Sequence, residues 1–197
     1  GGNSWFMGAG KGLAMSVILN KKYPLECSGL ISLAIGIAAA QSIQKRGLDP
    51  KLKWPNDILI DGKKAGGILC ETKIQEEWIK KIVVGIGINV NETSNEFPDS
   101  IKGHSTSMSI CSNHPHQREL VAAEFLNSLE YLLEMIHQDP NKIVHEWLDR
   151  CGHLNKPVTF TEKGRAVEGI FSGLDSFGHA SINTNGEKKL YHSSILD

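Results

Sequence analysis

Two lysines, an amide and a carboxylate fall together in Lys53-Trp54-Pro55-Asn56-Asp57 and in Lys64, which is followed by Ala65-Gly66-Gly67-Ile68-Leu69. Lysine ammonium groups suit phosphate as compact point charges, and a carboxylate can hold magnesium or orient an incoming amine. That set suits adenylation. A substrate carboxylate attacks the α-phosphate of ATP, cations stabilise the charge that develops there, and a neighbouring acid group positions the later nucleophile. The same stretch also reads as a plain hairpin, because Asp61-Gly62 between Ile58-Leu59-Ile60 and Ala65-Gly66-Gly67-Ile68-Leu69 is a turn signal. The hairpin explains Asp61 and Gly62. It leaves unexplained a Trp-Pro-Asn-Asp run at the start of its first strand, where proline removes a ladder donor and biases Trp54 toward an extended conformation.

Other chemical signals fail on inspection. Gly8-Ala9-Gly10-Lys11-Gly12 has Gly12 where a phosphate loop needs Ser or Thr, and Trp5 where its first glycine belongs. Gly85-Ile86-Gly87 lacks the third glycine and following helix of a dinucleotide fingerprint. No Gly-x-Ser-x-Gly elbow anchors a hydrolase triad. The histidines lack close helical pairing, so no metal site is expected, and His114 and His116 read as surface residues flanking a helix start. Glycines inside the β-prone run Val83 to Val90 point either to a bulge or to close approach of another group.

The elements that must carry these residues are legible in outline. Leu13 to Leu19 reads as a strand mostly buried on both faces. Ser28 caps a helix to about Arg46, apolar around most of its circumference from Leu30 to Ala40, with Lys45 and Arg46 in its last turn and Gly47 as its stop. Strands Ala65 to about Ile74 and Trp78 to Val90 follow. Residues Asn91 to Asn113 read as a long polar loop, a kind often functional. Pro115 opens a helix capped by Asn113 or His114, with Val121, Phe125, Leu129, Leu132 and Ile136 as a core stripe. A short helix spans about Lys142 to Cys151, and Asn155-Lys156-Pro157 marks a domain boundary, giving units 1–155 and 156–197. Turn signals at Lys163-Gly164, Asp175-Ser176-Phe177-Gly178 and Asn185-Gly186 suggest that the second unit is a small antiparallel barrel.

With 197 residues and 40% hydrophobic content, the chain has material for one large core and a small appendage. A formal net charge of -1 argues against broad attraction to nucleic acid or to an acidic membrane, so any anion must be bound locally. Cys27, Cys70, Cys111 and Cys151 lie far apart and read as reduced cytosolic thiols. The run Leu30 to Ala40 is too short to span a bilayer. The chain opens without methionine in a glycine-rich segment, as a fragment or trimmed chain would.

At these residues the sequence resembles the biotin protein ligase family. Lys53-Trp54-Pro55-Asn56-Asp57, Lys64-Ala65-Gly66-Gly67-Ile68-Leu69 and Gly85-Ile86-Gly87-Ile88-Asn89 carry the likeness, with Gly2-Asn3-Ser4-Trp5-Phe6 similar to the end of the family's biotin-binding loop. The resemblance covers almost the whole chain. It implies an α+β fold, a mixed or antiparallel sheet with packed helices of the class II synthetase-like kind, plus a C-terminal SH3-like β-barrel. It implies that biotin and ATP, with Mg2+, give biotinyl-5'-adenylate, and that the acyl group passes to a lysine of a biotin carboxyl carrier protein domain.

By the same resemblance Lys64 contacts the biotin carboxyl and the α-phosphate, and Lys53 adds positive charge. Asn56 and Asp57 serve the acceptor side, with Asp57 orienting the acceptor lysine. Gly66, Gly67, Gly85 and Gly87 let the backbone approach the ligand, Asn89 lies near the nucleotide, and Trp5 lies over the adenylate under a loop from Asn91 to Ser109. The family's Gly-Arg-Gly-Arg loop, and its upstream strand and helix, do not occur in this sequence. Neither does the helix-turn-helix of some members, so no nucleic-acid partner is expected; no membrane partner, a cytoplasmic location and a homodimer through sheet edges are expected as well. The alternatives are a lipoate or octanoate ligase or transferase of the same fold, or an inactive module that binds biotin or the carrier.

Overall fold

The structure, a computed structural model, describes residues 5–162 and 165–192. In chain order the elements are β1 (Leu13–Leu19), β2 (Tyr23–Pro24), a 3-10 turn (Leu25–Cys27), α1 (Ser28–Gln44), β3 (Lys51–Lys53), β4 (Asp57–Ile60), β5 (Lys63–Gln75) and β6 (Trp78–Ile88). Then come α2 (Asp99–Lys102), α3 (Met108–Ser112), α4 (Arg118–Gln138), α5 (Pro140–Leu148), β7 (Pro157–Glu162), β8 (Arg165–Leu174), β9 (Ala180–Thr184) and β10 (Glu187–Tyr191). The first sheet runs β1-β6-β5-β4-β3 with β2 beside β6, and the second runs β10-β9-β8-β7. Both are antiparallel at every described pairing. Among the described residues the second unit is thus a four-stranded antiparallel sheet, and the Lys163-Gly164 turn signal lies outside them.

The turn residues act as their types require. Asp61 and Gly62 take φ of 50° and 74°, and Asn185 and Gly186 take 53° and 86°. Positive φ at both central positions matches the twist of the flanking strands, so each pair closes a tight hairpin.

Helix α1 packs against α4 and α5 and against strands β3, β4 and β5. Enclosure on all sides explains a helix that is apolar all round, with Leu30, Ile31, Leu33, Ala34 and Ile35 buried. Leu25–Gln44 is long and apolar enough to cross a membrane, but 67% of its apolar window is buried inside this fold. The helix begins differently from the sequence expectation. Ser28 is its first residue rather than its cap, because a 3-10 turn from Pro24 leads into it, and Lys45 caps its end. Gly47, with φ of 77°, turns the chain away.

Three further expectations change. Strand β1 alternates half-buried and exposed residues instead of being buried on both faces, because it is an edge strand with only one face against the core. Helix α4 starts at Arg118, and Asn113 instead ends α3 in the left-handed conformation at φ 60°. The stripe Val121, Phe125, Leu129, Leu132 and Ile136 is buried as expected. The polar stretch from Asn91 is not a structureless loop. It holds α2 and α3, and its Glu92, Phe97, Thr106, Ser107 and Met108 are buried. His116, expected at the surface, is buried too, with Nε2 2.8 Å from Ser112 Oγ.

The second sheet touches the segment that leads into β4. Trp54 Nε1 donates to Gly178 O at 3.3 Å, and the Trp54–Pro55 bond is cis. Asp175 Oδ1 accepts from the N–H groups of Phe177 and His179, both at 2.9 Å, which fixes that turn. A Cβ on Gly29 would stand 2.3 Å from Phe177 O, so glycine lets the start of α1 meet the same turn. Beside them His153 lies against the Phe171 ring, centroids 4.3 Å apart. Burial first, and then nearby Lys53, push its pKa down to about 4, so it packs there as a neutral ring.

Candidate functional site

The register of the first sheet aligns the expected residues in one row. Ala14 opposes Gly87, Gly87 opposes Gly67, Gly67 opposes Asp57, and Asp57 opposes Lys53. Opposed residues of paired strands point to the same face, so this row crosses all five strands on the side away from α1. A second row places Ser16, Gly85 and Leu69 together, and Leu69 is 61% exposed. The result is a strip with a glycine floor and a charged end.

Lys64 joins that face through an irregularity. Ile58 pairs with Gly66 but Leu59 pairs with Lys64, so Ala65 is a bulged residue between them. Strict alternation would put Lys64 on the face of Gly66. The extra residue turns it to the face of Leu59, Asp57 and Gly67. Its backbone is pinned there, since Lys64 N donates to His104 O at 2.8 Å and Thr106 N donates to Lys64 O at 2.9 Å.

At the charged end Lys64 Nζ lies 2.5 Å from Asp57 Oδ1, with side-chain exposures of 40% and 23%. An ion pair this accessible contributes about 0–1 kcal/mol. It holds the ammonium over the strip and can yield to a stronger anion. The ammonium also lies 5.8 Å from the centre of the Trp5 ring.

The glycines sort by face. Strand β6 has no register shift at Gly85 or Gly87, so the bulge reading is excluded there. A Cβ on Gly87 would be 2.7 Å from Trp5 Cε2, and one on Gly67 would be 3.2 Å from Trp5 Cζ3. The Trp5 indole therefore rests on that pair. Gly66 faces the other way, where a Cβ would meet Gly87 O at 2.9 Å and Ile58 Cδ1 at 3.0 Å; packing, not a ligand, requires glycine there.

Gly85 differs again. Its nearest neighbour would be Leu69 Cβ at 3.4 Å, an ordinary contact. Among the described residues no atom demands a glycine at that position. Gly85→Ala is expected to leave stability within about 0.5 kcal/mol of the starting value and to weaken ligand binding to the strip about tenfold. Thermal unfolding and calorimetric titration of the same preparation check this, and unchanged binding would remove Gly85 from the floor.

The two asparagines carry unequal loads. Asn56 Nδ2 donates to Ile68 O at 3.0 Å while Ile68 N donates to Asn56 O at 3.0 Å, so Asn56 ties the start of β4 to β5. Asn89 is buried, its Nδ2 donates to Thr106 O at 2.9 Å, and its Oδ1 has no partner among the described residues. A buried free acceptor suits an N–H donor from a ligand. Asn56 and Asp57 also line a cavity of about 90 Å³ with Lys53, His153, Phe160 and Phe171, under the second sheet. Among the described residues no three His, Cys, Asp or Glu side chains gather as a metal site would require.

Residues 2–4 of the expected biotin-loop likeness lie outside the described residues. Sequence reasoning missed Glu92, which is fully buried beneath Gly8 and Gly12. The glycine spacing of that loop is the signal: glycines can make room for a side chain as well as for a phosphate. It also missed the 104–106 backbone that pins Lys64.

Residues 1–89 match the Biotin/lipoate A/B protein ligase family and residues 153–195 match the Biotin protein ligase C terminal domain. The chain is 34% identical over 200 residues to the bifunctional ligase/repressor BirA of Bacillus subtilis, covering 97% of this chain and 60% of that protein. It is 26% identical to the biotin--[acetyl-CoA-carboxylase] ligase of Mycobacterium tuberculosis, over 83% of this chain and 60% of that one. Among solved structures, the biotin protein ligase from Aquifex aeolicus in complex with biotin and ATP superposes with a TM-score of 0.77 at 26% identity, covering 95% of this chain and 78% of that one. The chain thus spans about 60% of the length of those curated relatives.

Proposed function

The chain belongs to the biotin protein ligase family, and from that premise we propose that it activates biotin with ATP and passes the biotinyl group to a lysine of a carrier domain. The observation that carries this reading is the row Gly87, Gly67, Asp57 and Lys53 with the Lys64 ammonium turned onto it. The glycine floor, on which the Trp5 ring rests, admits a ligand against the backbone when that ring shifts, and a cation waits at one end.

In the first step a biotin carboxylate oxygen attacks the α-phosphorus of ATP, the bond to the β-phosphate oxygen breaks, and pyrophosphate leaves. Lys64 meets the charge on the carboxyl and the phosphate, and Lys53 adds field from the end of the row. Magnesium would be held by the phosphates of ATP more than by side chains of this chain, and would neutralise triphosphate charge there. Asn89 offers its free Oδ1 to an amine of the nucleotide. In the second step the acceptor amine attacks the acyl carbon, AMP leaves with the electron pair of the anhydride bond, and Asp57 orients the amine and takes its proton.

The chain divides in this reading into a catalytic unit, 1–155, and an appended β unit, 156–197. The match of residues 153–195 to a biotin protein ligase domain favours biotin over lipoate. A carboxylase carrier domain is the proposed acceptor, since that is what the named relatives are called after. The decisive measurement is biotin-dependent exchange of pyrophosphate into ATP by the full polypeptide. Exchange with biotin and none with lipoate is expected; no exchange with biotin would end the proposal.

A further inference from the structure

Glu92 is fully buried, and among the described residues neither of its carboxyl oxygens has a hydrogen-bond partner. A carboxyl in that state resists ionisation, because the charged form loses its hydration without compensation. The glycine-rich loop Gly8 to Gly12 is wrapped on it. A Cβ on Gly12 would stand 2.6 Å from Glu92 Oε1, and one on Gly8 would stand 3.3 Å from Glu92 Cγ. Gly8 and Gly12 are thus explained by side chains, Glu92 and for Gly12 also Met7 with its Cγ at 2.6 Å, and Gly10 by its φ of 72°, with no phosphate needed.

The residue is held firmly from behind. Its carbonyl oxygen accepts from Ser107 Oγ at 2.6 Å and from Ser109 Oγ at 3.4 Å. Burial pushes its pKa up, and the N–H groups of Glu92 itself, Gly8, Val90 and Asn91, which face the carboxyl, pull it down by less than burial raises it. None of them closes to hydrogen-bond geometry. The loop is otherwise tied at a few points, among them the Lys11–Glu96 ion pair at 2.5 Å. Asn91 N donates to Lys11 O at 3.2 Å, Arg118 Nη1 donates to Gly12 O at 3.2 Å, and Phe6 lies 6.1 Å from Phe97 between centroids. Three residues before Gly8 stands Trp5, on the Gly67–Gly87 pair.

We propose that Glu92 is the positioning residue of this loop: its uncharged carboxyl seats Gly8 to Gly12 and so holds Trp5 on the glycine strip, and ionisation of the carboxyl releases both. The charged groups on the elements around it are Lys11 of the loop, Glu96 of the following segment and Arg118 of α4. Lys11 and Glu96 pair with each other at 2.5 Å, and Arg118 is turned to the Gly12 carbonyl and to Glu119. None supplies Glu92 with a counter-charge. A carboxyl whose pKa is higher folded than unfolded contributes at low pH and loses that contribution as pH rises through the folded value. The seated loop is therefore the acid form, and the strip opens toward neutral pH.

The test follows the indole resonance of Trp5 by NMR in the full polypeptide without ligands, from pH 4 to pH 8. A one-proton shift is expected with its midpoint above the usual glutamate value of about 4.3. Glu92→Gln, neutral at every pH and nearly isosteric, should fix Trp5 in the seated position throughout. A flat wild-type profile would overturn the proposal, as would a Glu92→Gln variant that titrates like the wild type. If that variant fails to fold, Glu96→Gln decides. Glu96 is held down to about 2 by Lys11 and by Thr93, so it lies outside the window. Its removal should leave the titration in place, with any shift of the midpoint downward because Lys11 loses its partner, and loss of the titration would overturn the assignment to Glu92. Release of the loop needs no ligand, so failure here leaves the ligase reading intact.

Discussion

Lys64→Ala is expected to lower formation of the acyl-adenylate by roughly 10²–10³-fold, the effect of removing one preorganised charge-stabilising donor. The structure gives three reasons for so large a value. The lysine backbone is clamped on both sides by the 104–106 segment, at 2.8 and 2.9 Å, so its stem starts from a fixed place. The bulge at Ala65 aims it at the strip. Its standing partner Asp57 is a half-exposed pair worth about 0–1 kcal/mol, little to give up when phosphate charge develops. Pyrophosphate exchange on variants with unchanged thermal unfolding measures the loss. Lys64→Arg tests geometry separately from charge, since a planar fork cannot reproduce a point charge in a narrow strip. Exchange that persists in Lys64→Ala within a few-fold would move the phosphate contact to Lys53.

Why this site was readable in sequence, and where it was not, follows from period and closure. Asp61 and Gly62 announced the hairpin because their residue types are what positive φ selects. Period-two reasoning located the glycine strands, but it could not separate Gly66 from Gly67. The bulge that sets Lys64 on the face of Gly67 arises from pairing with β4 and leaves no local mark at Ala65. The segment after β6 misled because its polar residues are satisfied internally. Ser107 reaches the carbonyl of Glu92, Asn91 reaches His116, and Thr106 bridges to Lys64. Polarity signals a loop only when water is the partner. The cap of α1 was misplaced for a similar reason, because the preceding 3-10 turn supplies the start that a Ser side chain would otherwise provide.

Asp57→Ala is expected to divide the two half-reactions. Adenylate formation should stay within a few-fold, because Lys64 keeps its charge and its pinned backbone, whereas transfer to the carrier lysine should slow by about 10²–10⁴-fold, as for a lost general base. The 2.5 Å contact between Asp57 and Lys64 sets up the competing account, in which Asp57 acts only by holding the lysine in place. The two accounts separate in a double-mutant cycle. If Asp57 works through Lys64, the Asp57→Ala change adds nothing to Lys64→Ala in either half-reaction. If Asp57 serves the acceptor amine, it still slows transfer from preformed adenylate when Lys64 is already alanine. The row itself favours the second outcome. Asp57 sits between Gly67 on the strip and Lys53 at the edge strand, and it borders the cavity under the second sheet. A carboxylate placed between the ligand floor and an outward-facing edge can take a proton from an incoming amine. Equal loss of both half-reactions in the single variant would assign it to Lys64 alone.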